Sequence, residues 1–139
     1  MRGPQDEWFD ETTLETLQRT RFTISPQSDR MGYRLDGAPI QRRPGPFGPG
    51  GTGPFGPGEM ISDATFIGGL QVPPSGDPIL LMADRQTTGG YPQIATLITA
   101  DLPVAGQLAP GDWVEFELCT RQQAIAALIA QENRLLGLA

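Results

Sequence analysis

Between residues 64 and 118 the chain carries a succession of short apolar segments joined by connections too short for a crossover helix. They are "ATFIGGLQV" (64–72), "PILLMA" (78–83), "QIATLITA" (93–100) and "DWVEFEL" (112–118). Parallel neighbours need a connection of about a dozen or more residues, usually helical, whereas antiparallel strands close through short loops. Most of these segments are therefore expected to pair antiparallel. The middle two are continuous apolar runs of the buried-strand type. The last alternates Trp113 and Glu115 against Val114, Phe116 and Leu118, which predicts one buried face. Gly68 and Gly69 interrupt the first and predict a bulge or a close backbone approach. "LAPGD" (108–112) is a Pro-Gly turn signal ahead of the last strand.

Helical patterns flank this region. In "WFDETTLETLQRT" (8–20), Leu14 and Leu17 share a face with Phe9 ahead of them, and Thr12 and Glu15 have capping-box spacing. "TRQQAIAALIAQENRLLGLA" (120–139) repeats that spacing at Thr120 and Gln123. An apolar stripe of Ala124, Ile125, Leu128, Ile129 and Leu135 follows, and Gly137 is the expected stop. "RFTIS" (21–25) reads as a half-buried strand on Phe22 and Ile24, and "PQSDRMGYRLDG" (26–37) as a loop with a short strand around 33–35. The predicted class is mainly β, an antiparallel barrel or sheet with two flanking helices.

A length of 139 residues suits one domain. Its 18 glycines and 14 prolines concentrate in "PGPFGPGGTGPFGPG" (44–58), where "GPFGPG" occurs at 45–50 and again at 53–58. Proline blocks ladder hydrogen bonds and glycine raises the entropy cost of ordering, so this stretch is expected to be a mobile surface insertion.

The composition removes several chemistries. The net charge is −6 and all ten cations are scattered arginines, which argues against nucleic acid as a partner. Without lysine there is no Schiff base and no phosphate-loop lysine. Without histidine the commonest acid–base group and metal ligand is missing, and no metal site is expected. The single cysteine, Cys119, has no partner for an internal disulfide and is expected to be a buried structural thiol. No apolar run approaches the ~20 residues that span a bilayer, and the acidic N-terminus lacks a hydrophobic signal region. The expectation is a soluble cytoplasmic protein.

"DRQTTGGYP" (84–92) is the most informative connection, longer than a tight hairpin needs. Asp84 and Arg85 read either as a local ion pair or turn cap, or as a catalytic pair. In the second reading Arg85 grips a substrate carboxylate in a fork and Asp84 orients it or accepts a proton. Thr88 offers a hydroxyl, Gly89 and Gly90 open the backbone to a ligand, and Tyr91 offers a flat wall. "SDRMGYRL" (28–35) supplies Arg30 as an anion ligand and Met31 and Tyr33 as packing surfaces, or else a solvated loop in which Asp29 and Arg30 pair. Gln71 in "QVPPSG" (71–76) can read both the C=O and the N–H of a small amide, or is an edge-strand glutamine.

Taken in order, "SPQSDRMGYRL" (25–35), "LQVPPSGDPILL" (70–81), "ADRQTTGGYPQIATLITADL" (83–102) and "LAPGDWVEF" (108–116) closely resemble the C-terminal half of the biotin-dependent carboxyltransferase-like family. That family includes the C subunit of 5-oxoprolinase, allophanate hydrolase subunit 2, the antagonist of a sporulation kinase inhibitor, and a domain of urea carboxylase. The resemblance implies a cyclophilin-like β-barrel over residues 1–139, with a first half absent from this chain. It favours the functional reading of the residues above and implies a hetero-oligomeric amide hydrolase with paired subunits A and B. On that reading the isolated chain is inactive, ATP sits on a partner subunit, and biotin enters only in the carboxylase relatives. The implied substrate is a small planar amide, 5-oxoproline first, then urea or allophanate; a non-catalytic partner-binding module is the alternative.

Overall fold

The computed structural model describes residues 1–44 and 60–138, so the Gly/Pro-rich insertion expected at 44–58 lies outside the described residues except for Pro44. Phe22 and Ile24 alternate with polar neighbours and form strand β1 (Phe22–Ile24), with both apolar side chains buried and Thr23 exposed between them. The strands that follow are β2 (Gly32–Asp36), β3 (Asp63–Ala64), β4 (Gly69–Gln71), β5 (Ile79–Leu81), β6 (Thr88–Gly89), β7 (Gln93–Thr96) and β8 (Trp113–Val114). Six of them form one sheet in the order β7-β4-β5-β2-β1-β8, every pair antiparallel, as the short connections require. β3 and β6 pair separately as a two-stranded ribbon. β7 and β8 stand at opposite ends of the strand order and do not pair, so among the described residues the sheet is open rather than closed as a barrel.

Among the described residues three α-helices, not two, accompany the sheet: α1 (Glu11–Arg19), α2 (Leu102–Ala105) and α3 (Arg121–Leu135). The predicted strand over 93–100 stops at Thr96 because the chain turns through a 3-10 segment, Thr99–Asp101, into α2. Pro103 in the first turn of α2 has its φ preset for helix and forfeits no intrahelical hydrogen bond there. The core joins Leu14 and Leu17 of α1 with Phe9, Phe22, Ile24, Leu35, Leu70, Leu80 and Ile94. The rings of Phe22 and Phe116 meet at 5.8 Å between centroids, tilted by 53°. As predicted, Val114, Phe116 and Leu118 pack half-buried against this core. Trp113 is exposed, with the Arg21 guanidinium 4.0 Å over its ring and Arg21 Nε 3.0 Å from Glu115 Oε1.

The N-terminal residues extend the sheet beyond β7. The Met1 ammonium donates to Thr96 O at 2.9 Å and Gly3 N donates to Ile94 O at 2.9 Å. A Cβ on Gly3 would lie 2.2 Å from Gln93 O, so only glycine permits this approach.

The first helix is capped by Asp10, two residues earlier than the Thr12–Glu15 spacing suggested. Asp10 Oδ1 accepts the Thr13 N–H at 2.8 Å, and that bond holds the carboxyl below its ordinary range. A carboxylate with a depressed folded-state pKa stabilises fully above the unfolded value and loses that contribution as pH falls through the folded value. Asparagine caps as well without titrating. On acidification from about pH 5 to about pH 2 the wild type therefore loses more thermal stability through this site than Asp10→Asn does, as melts across pH will show.

At the other end, both halves of the predicted capping box form: Thr120 Oγ1 accepts from Gln123 N at 3.2 Å and Gln123 Oε1 accepts from Thr120 N at 2.8 Å. Gly137 takes φ +68°, as a helix stop does. The apolar stripe is present, but no residue of α3 is buried, and Ile125, Ile129 and Leu135 are exposed. Cys119 is half-buried rather than buried.

Candidate functional site

Register across the sheet decides which side chains meet. Arg34 on β2 stands opposite Ile79 on β5, and Ile79 stands opposite Gln71 on β4. Directly opposed residues of antiparallel strands point to the same face, so these three form one row. Gly32 opposite Leu81 lies two residues away and shares that face. The other face carries Leu70 opposite Leu80 and belongs to the core. Tyr33 stands opposite Leu80 and packs on that core side, one residue out of phase with the row.

The β3–β6 ribbon lies beside the row, and distant polar residues fasten it. Gln5 Nε2 donates to Asp63 Oδ2 at 3.1 Å, Gln93 Nε2 donates to Ala64 O at 3.2 Å, and Gln5 Oε1 accepts from Gln93 N at 3.0 Å. Thr65 N donates to Thr87 O at 3.0 Å, its hydroxyl donates to Gln86 O, and Met60 N donates to Gly90 O at 3.1 Å. These bonds seat Gly89 against the buried Gln71 side chain. A Cβ at Gly89 would lie 2.5 Å from Gln71 Nε2, so the amide keeps its place because that position is glycine.

Between row and ribbon lies a cavity of about 290 Å³. Its lining includes Met31, Gln71, Arg85, Thr88, Gly89, Gly90 and Tyr91 of the sequence-predicted set. Arg30, Tyr33 and Asp84 are not in the lining. Gln27, Asp29, Arg34, Thr65 and Gln86 enter it without having been expected. Arg34 was legible: in "GYRLD" it alternates with Tyr33 and Leu35, so a core-facing tyrosine implies an outward arginine.

The ion pair expected within "DRQ" takes a different partner. Asp84 pairs with Arg30, Nε to Oδ2 at 2.7 Å and Nη2 to Oδ1 at 3.2 Å, and Asp84 N donates to Arg30 O at 2.9 Å. The Arg30 hydrogen bonds hold the Asp84 carboxyl below its ordinary range and raise the guanidinium. Both side chains are exposed, so solvent screens the pair and it adds little stability. Asp29 does not pair with Arg30; its Oδ1 accepts the N–H groups of Met31 and Gly32 at 2.8 and 3.3 Å and shapes the entry to β2.

Arg85 is left to the cavity. Its Nε is buried with no hydrogen-bond partner among the described residues, and no described carboxylate forms an ion pair with it. Buried donors are almost always satisfied, so an unpaired guanidinium N–H at a cavity wall is equipped to meet an acceptor from outside the chain. Behind β4, the buried Arg42 donates through Nε to Val72 O at 3.1 Å and through Nη2 to the same carbonyl, and burial pushes its pKa down. That bond fixes the backbone next to Gln71. Among the described residues no cluster of His, Cys, Asp and Glu could hold a metal ion, and no helix is long and apolar enough to cross a membrane.

Residues 1–118 match the carboxyltransferase domain, subdomain A and B, and the chain belongs to that family. The resemblance read from "DRQTTGGYPQIATLI" is thereby borne out. Among individual proteins, the chain is 44% identical over 117 residues to the 5-oxoprolinase C subunit of Haemophilus influenzae, covering 84% of this chain and 33% of that protein. It is 36% identical over 131 residues to the 5-oxoprolinase C subunit of Escherichia coli, covering 94% and 38% respectively. The crystal structure of Kluyveromyces lactis urea carboxylase shares the fold, with a TM-score of 0.80 over 96% of this chain and 12% of that one at 22% identity. The chain thus spans 33–38% of the length of the 5-oxoprolinase proteins it matches.

Proposed function

We propose that this chain supplies a small-amide site to a 5-oxoprolinase-type assembly, an amide hydrolase that opens 5-oxoproline to glutamate. The observation that carries the reading is Arg85, whose Nε is buried without a hydrogen-bond partner among the described residues, at a cavity whose other polar groups include the Gln71 amide and the Thr88–Gly90 edge. Arg85 grips the carboxylate of the lactam acid, Gln71 reads its C=O and N–H, and Tyr91 and Met31 flank the ring. The Arg30–Asp84 pair fixes the start of the loop that presents Arg85, so Asp84 is assigned a positioning role. A cavity of about 290 Å³ is at the small end for ligand sites and suits a metabolite of this size.

The similarity to two 5-oxoprolinase C subunits supports partner subunits A and B, with this chain as the C-terminal half of its own component. We place ATP on a partner: the chain has no lysine to line a phosphate loop, nor one to carry biotin. A cytoplasmic location belongs to the same reading. So does a cyclophilin-like barrel, completed from the β8 edge and from the N-terminal residues that extend the sheet past β7. The family's description favours one second reading, carboxyl transfer to a urea-like amide at the same cavity. Co-expression with subunits A and B, followed by supply of ATP and 5-oxoproline, is expected to release glutamate above the level of A and B alone. No increase overturns the reading, and turnover of urea in place of 5-oxoproline supports the second.

A further inference from the structure

Arg34 is the cavity's other cation. It lies in the same row as Gln71, is exposed, and forms no ion pair with any described carboxylate. It also lines an adjoining cavity of about 280 Å³, which shares Gln27, Ile79 and Tyr91 with the first. That second cavity contains Asp36 and Asp77, which repel an anion. Asp29 is the one carboxylate among the described lining residues of the first cavity, against two in the second. With Arg85 also in the first, an anion near Arg34 is directed toward that side.

We propose that Arg34 is a second anion anchor and that the site takes a short dicarboxylate, held between Arg85 and Arg34. The proposal rests on the function proposed above and names what the second cation is for. Hydrolysis of a lactam acid adds a water oxygen to the carbonyl carbon and breaks the C–N bond. Both water protons end on the nitrogen, which stays on the α-carbon as an ammonium group while the former carbonyl becomes a second carboxylate. Arg34 holds that new carboxylate, and Arg85 holds the one already present.

The test is calorimetric titration of the 139-residue chain, at fixed ionic strength, with glutarate and with pentanoate, its monocarboxylate of equal length. Wild type is expected to bind glutarate about tenfold to a hundredfold more tightly, the range for one charge-assisted hydrogen bond. Arg34→Gln is expected to abolish that preference, while Arg34→Lys restores part of it. Circular dichroism confirms that each variant is folded. Equal affinities in wild type, or a glutarate preference that survives Arg34→Gln, overturn the proposal. Pentanoate binding indifferent to Arg85→Gln overturns instead the role given to Arg85, and no binding of either ligand overturns both.

Discussion

Arg85→Gln is expected to lower glutamate release by the reconstituted assembly about a hundredfold to a thousandfold, the usual loss when one preorganised charged donor is removed from a water-poor site. The substitution retains a planar polar head and much of the volume, so it tests charge rather than packing. Arg85 lines the cavity, and no described carboxylate pairs with it. A ligand carboxylate that meets the guanidinium gains a charge-assisted bond without displacing a protein counter-charge. Asp84→Asn provides the contrast. Its carboxylate lies outside the cavity lining and is bound to Arg30 in solvent, so the structure assigns it positioning of the loop. A loss as large as that of Arg85→Gln would make Asp84 a participant in the chemistry.

The largest effect on stability is expected at Phe22. The side chain is fully buried, touches Phe116 and lies where a Cβ on Gly37 would come within 2.6 Å of its ring. Phe22→Ala removes a ring that neighbouring residues cannot collapse to replace, and such changes cost about 3–5 kcal/mol. Against a total stability of about 5–15 kcal/mol this lowers the melting temperature by roughly 10–20 °C. Thr23→Ala, next in sequence but on the exposed face, is expected to stay within about 0.5 kcal/mol. Thermal melts of the two variants side by side read the strand's alternation directly.

Much of the fold was written locally. The antiparallel sheet followed from short connections, and β1, β2 and β5 lie where their apolar patterns put them. The Thr120–Gln123 box formed as spaced. The first helix was capped by Asp10 instead, because an aspartate at that position reaches the Thr13 N–H before Thr12 can act. The β3–β6 ribbon left no signal, since two-residue strands have no periodicity; bonds from Gln5 and Gln93, remote in sequence, hold it. The stripe on α3 was real, but periodicity specifies a shared face and not what covers it.

The site was legible where it lies on one continuous segment. Arg85, Thr88, Gly89, Gly90 and Tyr91 all reach the cavity. Errors arose where register had to be known. Tyr33 and Arg34 are adjacent; alternation puts them on opposite faces, and the pairing of β2 with β5 sets Arg34 in the row of Gln71 and Tyr33 against Leu80. Arg30 and Asp84, far apart in sequence, found each other because the backbone of Asp84 bonds to that of Arg30.

The central claim is that the cavity between the β2–β5–β4 row and the β3–β6 ribbon is where a small lactam acid binds. Amide NMR of the chain titrated with 5-oxoproline tests it most directly. Shifts concentrated at Gln71, Gly89, Gly90 and the Arg85 Nε–H, and absent in Arg85→Gln, are the predicted result. Shifts confined to other surfaces such as α3, or no saturable shift at all, would contradict it.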